Sequence, residues 1–268
     1  MDIKLIAIDL DGTLLNSDHV ISDNVRKSIE YAQNKGVQIG LASGRPYSGM
    51  EAILKELNIQ NEQNAVITNN GAMIRDIASG DVRYKNVLGY EDYVKVEALS
   101  RELDVNMHVV SDDCLYTARR NIGRYTVFES YISKIDICYR PAEEMTEEIC
   151  YSKCMFSDDP ALINRIEGLI PESFYQEYEV FKSAPFFLEC LRKNSTKGYA
   201  LKQIADAMNL HRSQIMCMGD HENDFSMFNV ADTKIAMGNG IDLLKQHATF
   251  ITSTNNEDGV ARAIERFI

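Results

Sequence analysis

The stretch "IAIDLDGTLLNS", Ile6 to Ser17, constrains this chain more than any other: an apolar run of strand length ends in two carboxylates one residue apart, followed by a glycine and a hydroxyl residue. Taking a carboxylate out of water is costly unless it is paired or metal-bound. Asp9 and Asp11, at the tip of a core strand, therefore require a compensating partner from elsewhere in the sequence.

Up to about residue 80, short β-rich runs alternate with amphipathic helices, the pattern of βαβ units on a parallel sheet. "IKLIAIDL" reads as a near-continuous apolar strand. Ser22 caps the helix "DNVRKSIEYAQNKG", with Val25, Ile29 and Ala32 on one face and Gly36 stopping it. "VQIGLAS" is the second strand, "GRPYSGMEAILKEL" a helix with Pro46 at its first position, and "NAVITNNGA" a third strand ending in a turn. From about Asp81 the texture becomes helix and strands with a hairpin-like "SDD" turn, aromatic-rich to about Phe187. The alternation resumes with "FLECL", the helix "TKGYALKQIADAMN", the strand "QIMCMGD", the helix "NDFSMFNVA", the strand "TKIAMGN" and a closing helix. The expected fold is α/β: a doubly wound parallel-sheet core from residues 1–82 and 189–268, interrupted by an α+β domain at 83–188.

Composition narrows the function. With 268 residues the chain buries a sizeable core, and a formal net charge of −12 disfavours nucleic acid, whose phosphates need Lys and Arg. The N-terminus lacks the features of a signal peptide and no apolar run reaches membrane-spanning length, so a cytoplasmic protein without a membrane partner is expected. The six cysteines, Cys114, Cys138, Cys150, Cys154, Cys190 and Cys217, show no CxxC pair and read as reduced and buried. Cys150 and Cys154 lack the second Cys or His pair of a zinc site.

Parallel α/β sheets place functional groups at the carboxyl ends of their strands, and four stretches fall at or near such ends. They are Asp9 with Asp11, "ASGR" with Ser43, Lys197 at a helix start, and "GDHEND" after "QIMCM". Each alone has a dull explanation as a helix cap or a solvated charge. Together, "DLDGTLL", "ASGR", "NNGA", "KG-AL", "GDHENDFSMF", "AMGNG" and "DGVA" occur in the order of a known family: the sequence resembles the haloacid dehalogenase superfamily of phosphatases, in particular its Cof-like branch, nearly end to end.

The resemblance implies a Mg²⁺-dependent phosphatase acting on small phosphorylated metabolites, sugar phosphates or similar, through an aspartyl-phosphate. In that reading Asp9 is the nucleophile and Asp11 the general acid and base. Phosphate contacts come from the backbone at Leu10, from Ser43 and Gly44, and from Lys197 and Asn223. The Mg²⁺ ligands are the Asp9 carboxylate, the Asp11 backbone carbonyl and Asp220, with Asp224 behind them. The insert is similar to a type-two cap that reads the substrate beyond its phosphate, and Arg119, Arg120, Arg124 and Tyr125 are candidate contacts. The chain departs from the family's usual pattern at Asn194, Ser195 and Thr196, which precede Lys197, and at Gly240.

Physical chemistry makes these roles intelligible. A carboxylate attacking a phosphate dianion forms an acyl phosphate and divides one displacement into two, but both groups are negative and need a cation between them. Asp9, Asp11, Asp220 and Asp224 against Lys197 leave an excess of negative charge, and few carboxylates with a phosphate oxygen suit Mg²⁺. His221, inside "GDHEND", reads as a rim residue. The rival within the family is a phosphomutase, which differs only in the acceptor. A phospho-acceptor signalling module has similar groups but neither an insert nor a late GDxxND.

Overall fold

The computed structural model describes residues 2–59, 64–112 and 114–268. The chain begins with β1 (Leu5–Asp9), α1 (Asp23–Asn34), β2 (Gln38–Ala42), α2 (Glu51–Glu56), β3 (Ala65–Thr68), β4 (Met73–Asp76) and β5 (Val82–Lys85). It continues with α3 (Tyr90–Glu102), β6 (Met107–Val110), β7 (Cys114–Thr117), α4 (Arg124–Ser133), β8 (Asp136–Tyr139), β9 (Lys153–Ser157), α5 (Pro160–Glu167), α6 (Glu172–Glu177), β10 (Tyr178–Ala184) and β11 (Phe187–Arg192). The last elements are α7 (Lys197–Ala207), β12 (Ile215–Gly219), α8 (Phe225–Phe228), β13 (Thr233–Ala236), α9 (Asp242–His247), β14 (Phe250–Ile251) and α10 (Gly259–Phe267). These elements belong to two compact units, one of residues 1–43, 52–84 and 196–268, the other of 44–51 and 85–195.

In the first unit eight strands form one sheet in the order β14-β13-β12-β1-β2-β3-β4-β5. Pairing is parallel from β14 through β3, and β4 turns back antiparallel on β3. A strand covered on both faces has no solvent side, and so all five residues of β1 are buried and the run is apolar without alternation. Leu5, Ala7, Ile67 and Cys217 of the sheet pack with Ala200, Leu201, Ile204 and Ala205 of α7. Ser22 caps α1 by accepting from the Val25 N–H at 3.2 Å, the helix buries Val25, Ile29 and Ala32, and Gly36 takes φ +79° just beyond its end. Pro46 does not open a long helix. It precedes a single 3₁₀ turn, Tyr47–Gly49, and α2 begins only at Glu51.

The second unit carries a six-stranded sheet, β10-β11-β9-β6-β7-β8, antiparallel except for the β7–β8 pair. "FLECL" is therefore not where the parallel sheet resumes: it is β11, bonded antiparallel to β9 and β10. Alternate residues of the sheet face opposite ways. Val109, Cys154, Phe156 and Leu188 pack with Tyr93 and Val96 of α3 and Ile163 and Ile166 of α5, while Val110, Leu115, Met155 and Phe187 form a second cluster with Ile135. The "SDD" turn between β6 and β7 includes Asp113, which lies outside the described residues.

The cysteine reading needs correction. Cys114 and Cys138 form a disulfide with Cα atoms 6.2 Å apart, while Cys154, Cys190 and Cys217 are free and buried and Cys150 is free and half-buried. The β7–β8 register sets Cys114 opposite Asp136 and Tyr116 opposite Cys138, so the two thiols lie on neighbouring strands two residues out of step, on one face. That juxtaposition depends on the strand register and has no signature in sequence spacing.

Candidate active site

Asp9 ends β1 and the chain then folds back on itself: Leu14 N donates to the Asp9 carbonyl at 3.2 Å and Leu15 N to the Leu10 carbonyl at 2.9 Å. Gly12 makes the tight return possible. Its φ of +82° favours glycine, and a Cβ there would run into the Asp220 carboxylate. Thr13 Oγ1 then donates to Asp220 Oδ1 at 2.9 Å. The residues after the DxD thus hold the acid that follows β12, a role that sequence reasoning did not give Thr13 although the D-x-D-G-T run pointed to it.

Lys197 is the first residue of α7, and Thr196 caps that helix by accepting from Tyr199 N at 3.1 Å. Asn194 takes φ +66°, a left-handed conformation that asparagine tolerates, so the departure from the usual residues leaves a regular helix start. Lys197 is fully buried and donates to Asp9 Oδ1 at 2.5 Å and to Asp224 Oδ1 at 2.7 Å. The other oxygen of Asp224 accepts from the backbone N–H groups of Asp220 and His221 at 3.0 and 3.1 Å. His221 thus contributes its backbone, while its ring Nδ1 is buried without a hydrogen-bond partner among the described residues.

Asp9, Asp220 and Asp224 each offer a carboxylate oxygen within 4.8 Å of the others. The electrostatics follow from burying three acids around one lysine. Burial, reinforced by the charges of Asp224 and Asp220, holds the Asp9 carboxyl well above the usual range in spite of Lys197. Asp220 is pushed up to about 7, first by burial and then by Asp224, against the bond from Thr13. Burial opposes the charge on Lys197, but Asp224 and Asp9 outweigh it and raise the lysine above its ordinary value. Three carboxyl groups face one lysine, and when all are ionised Lys197 balances only part of their charge, which is the donor set that a hard divalent cation fits.

Asp11 stands apart from this cluster. Its side chain is 44% exposed, and the ring Nδ1 of His19 lies 3.8 Å from it, a neighbour to which sequence reasoning gave no role. Leu10, between the two acids, is fully buried. Ser43 follows the last residue of β2, is 1% exposed, and donates its N–H to the Ile67 carbonyl at 2.9 Å. Asn223 belongs to the 3₁₀ turn Glu222–Asp224 and donates from Nδ2 to Asn70 Oδ1 at 2.9 Å. Gly44 is the first residue of the 44–51 segment of the second unit.

The second unit places the other candidates. The guanidinium of Arg119 donates to the carbonyls of Ser100 and Val105, both at 3.2 Å, which ties α3 to the connection that follows it. Arg120 Nε donates to the Tyr139 hydroxyl at 3.3 Å. Arg124 pairs with Asp159 and lies over the Tyr125 ring at 4.9 Å, and Tyr125 stacks on Phe186 with ring centroids 4.7 Å apart. Arg124, Tyr125, Phe128 and Phe186 line a cavity of about 360 Å³. No described helix is long and apolar enough to cross a membrane.

Comparison with known proteins places the chain in a family. The model of the haloacid dehalogenase-like hydrolase family matches residues 6–264. A Streptococcus pyogenes protein with a provisional phosphatase name is 41% identical over 268 residues, 100% of this chain and 99% of its own. Bacillus subtilis YxeH, also provisionally named a phosphatase, is 38% identical over 265 residues, 99% and 98% of the two chains. The crystal structure of a haloacid dehalogenase-like hydrolase from Bacteroides thetaiotaomicron superposes with a TM-score of 0.87 at 30% identity, covering 99% of this chain and 100% of that one.

Proposed function

We propose that this chain, which belongs to the haloacid dehalogenase-like hydrolases and is a phosphatase, hydrolyses phosphate monoesters of small metabolites, sugar phosphates or similar, through an aspartyl-phosphate on Asp9. The observation that carries this reading is the pair of bonds from Lys197 to Asp9 and Asp224 within the three-carboxylate cluster. Lys197 fixes one oxygen of Asp9 and leaves the carboxylate oriented for attack, and its charge offsets part of the repulsion a phosphate dianion meets. Asp9 and Asp220, with the Asp11 carbonyl, would hold Mg²⁺, with Asp224 behind them, and the ion would supply neutralisation of charge on the transferring phosphoryl group.

In the first step an Asp9 carboxylate oxygen bonds to phosphorus and the ester P–O bond breaks. The leaving alkoxide takes a proton from Asp11. In the second step water attacks phosphorus and gives a proton back to Asp11, and the acyl phosphate bond breaks to release inorganic phosphate and regenerate Asp9. Leu10, Ser43, Gly44 and Asn223 supply donors to the phosphoryl oxygens in this scheme, and residues 83–188 serve as the cap that selects the leaving group. The test is hydrolysis of p-nitrophenyl phosphate with and without Mg²⁺, together with acid quenching and mass analysis. A phosphoryl group on Asp9 and loss of turnover in excess EDTA are expected. Full turnover in EDTA, or phosphate on another residue, overturns the scheme.

A further inference from the structure

"NNGA" is the motif to which no chemistry has been attached, and its conformation is costly. Asn69 and Asn70 stand one after the other at φ +50° and +55°, a region that L-residues avoid in succession, and Gly71 follows at +100°. Both asparagines are buried, at 1% and 0% exposure, so their amides have been taken from water.

Two hydrogen bonds show what it accomplishes. The backbone N–H of Asn70 donates to the Ser43 carbonyl at 2.9 Å, and its Oδ1 accepts from Asn223 Nδ2 at 2.9 Å. Ser43 follows β2 and Asn223 follows β12, and in the sheet β3 and β12 are separated by β1 and β2. Asn70 therefore joins the end of β3 to the loop after β12 across two intervening strands, one of which ends in Asp9. A primary amide has two N–H donors and a carbonyl that repels phosphate. The bond to Asn70 uses one donor of Asn223 and fixes which side of that amide faces the phosphoryl oxygens.

We propose that Asn70 is a positioning residue of the phosphatase reaction: it holds the backbone at Ser43 and the amide of Asn223 in register, so that both present donors to the same phosphoryl group. The proposal rests on the reading of Ser43 and Asn223 as phosphate contacts. A residue acting through Asn223 leaves a non-additive signature, because once Asn223 is gone its holder has nothing left to hold there.

The test compares Asn70→Gly, Asn223→Ala and the double variant, with inorganic phosphate as the competitive probe. Glycine accepts the left-handed φ, so the fold is kept, and Asn70→Ser is the second variant should the turn loosen. Each single change is expected to lower kcat/KM on p-nitrophenyl phosphate by roughly tenfold to a hundredfold and to weaken phosphate inhibition in parallel, with little change in Tm. The double variant is expected to be no worse than the weaker single variant, within about threefold. Losses that multiply, or Asn70 variants within about twofold of the wild type while Asn223→Ala is impaired, overturn the role of Asn70. An unimpaired Asn223→Ala instead overturns the phosphate reading on which it stands.

Discussion

Lys197 and Asp9 lie 188 positions apart in the chain and meet at 2.5 Å, both buried. The helix α7 delivers its first residue to the end of β1 because the first unit closes its sheet with segments from both ends of the sequence. Lys197→Met removes the cation that pairs with the buried carboxylates of Asp9 and Asp224. In the metal-free protein it is expected to cost about 3–5 kcal/mol of stability, read by urea unfolding. With Mg²⁺ present, kcat is expected to fall by roughly 10²- to 10³-fold. A variant as stable and as active as the wild type shows the ion pair to be incidental.

The raised proton affinity of Asp220 sets a pH dependence. A carboxyl whose folded pKa stands above its unfolded value contributes stability that is present at low pH and lost as pH rises through the folded value, here about 7. The metal-free protein is therefore expected to gain stability relative to Asp220→Asn as pH falls from 7.5 to 5.5. Mg²⁺ competes for the deprotonated form, so its affinity is expected to run the other way, weakening below about pH 7. Calorimetric titrations with Mg²⁺ at several pH values read this directly, and an affinity flat between pH 5.5 and 7.5 removes Asp220 from the ligand set.

The Cys114–Cys138 disulfide spans 24 positions, a loop whose closure stabilises a folded unit by about 3 kcal/mol in the chain-entropy account. A thiol reductant is expected to lower the Tm of the wild type and to leave that of Cys114→Ser/Cys138→Ser unchanged. An equal response in both chains means the two thiols are not joined.

Legibility of the fold tracked how local each signal is. Ser22, Val25, Ile29 and Gly36 mark α1 within its own residues, and the acids of "DLD" and "GDHEND" fall at strand ends wherever those strands lie. "FLECL" misled because a short apolar run reads alike in a parallel core and in an antiparallel sheet, and only its partners β9 and β10 distinguish them. The disulfide depends on the β7–β8 register and the buried Lys153–Glu189 pair at 3.0 Å on the β9–β11 pairing, neither of which sequence spacing encodes. Thr13 and Asn70 stood in quoted motifs, yet their tasks became visible only once Asp220 and Asn223 were beside them.

Asp11 differs from the buried acids, with a half-exposed side chain open to solvent and the His19 ring as its neighbour at 3.8 Å. Its two proposed tasks separate by choice of leaving group. A sugar alkoxide departs only when protonated, whereas p-nitrophenolate leaves almost unaided. Asp11→Asn is therefore expected to slow both steps on a sugar phosphate but chiefly water attack on the nitrophenyl ester, each lost proton transfer being worth roughly 10²- to 10⁴-fold. Rapid mixing of the variant with p-nitrophenyl phosphate is expected to give a burst of about one equivalent of nitrophenol per active site, with phosphate retained on Asp9, while Asp9→Asn gives none. A steady state equal to the wild type in Asp11→Asn rules out both tasks, because neither the protonation of the alkoxide nor the activation of water then depends on that carboxyl.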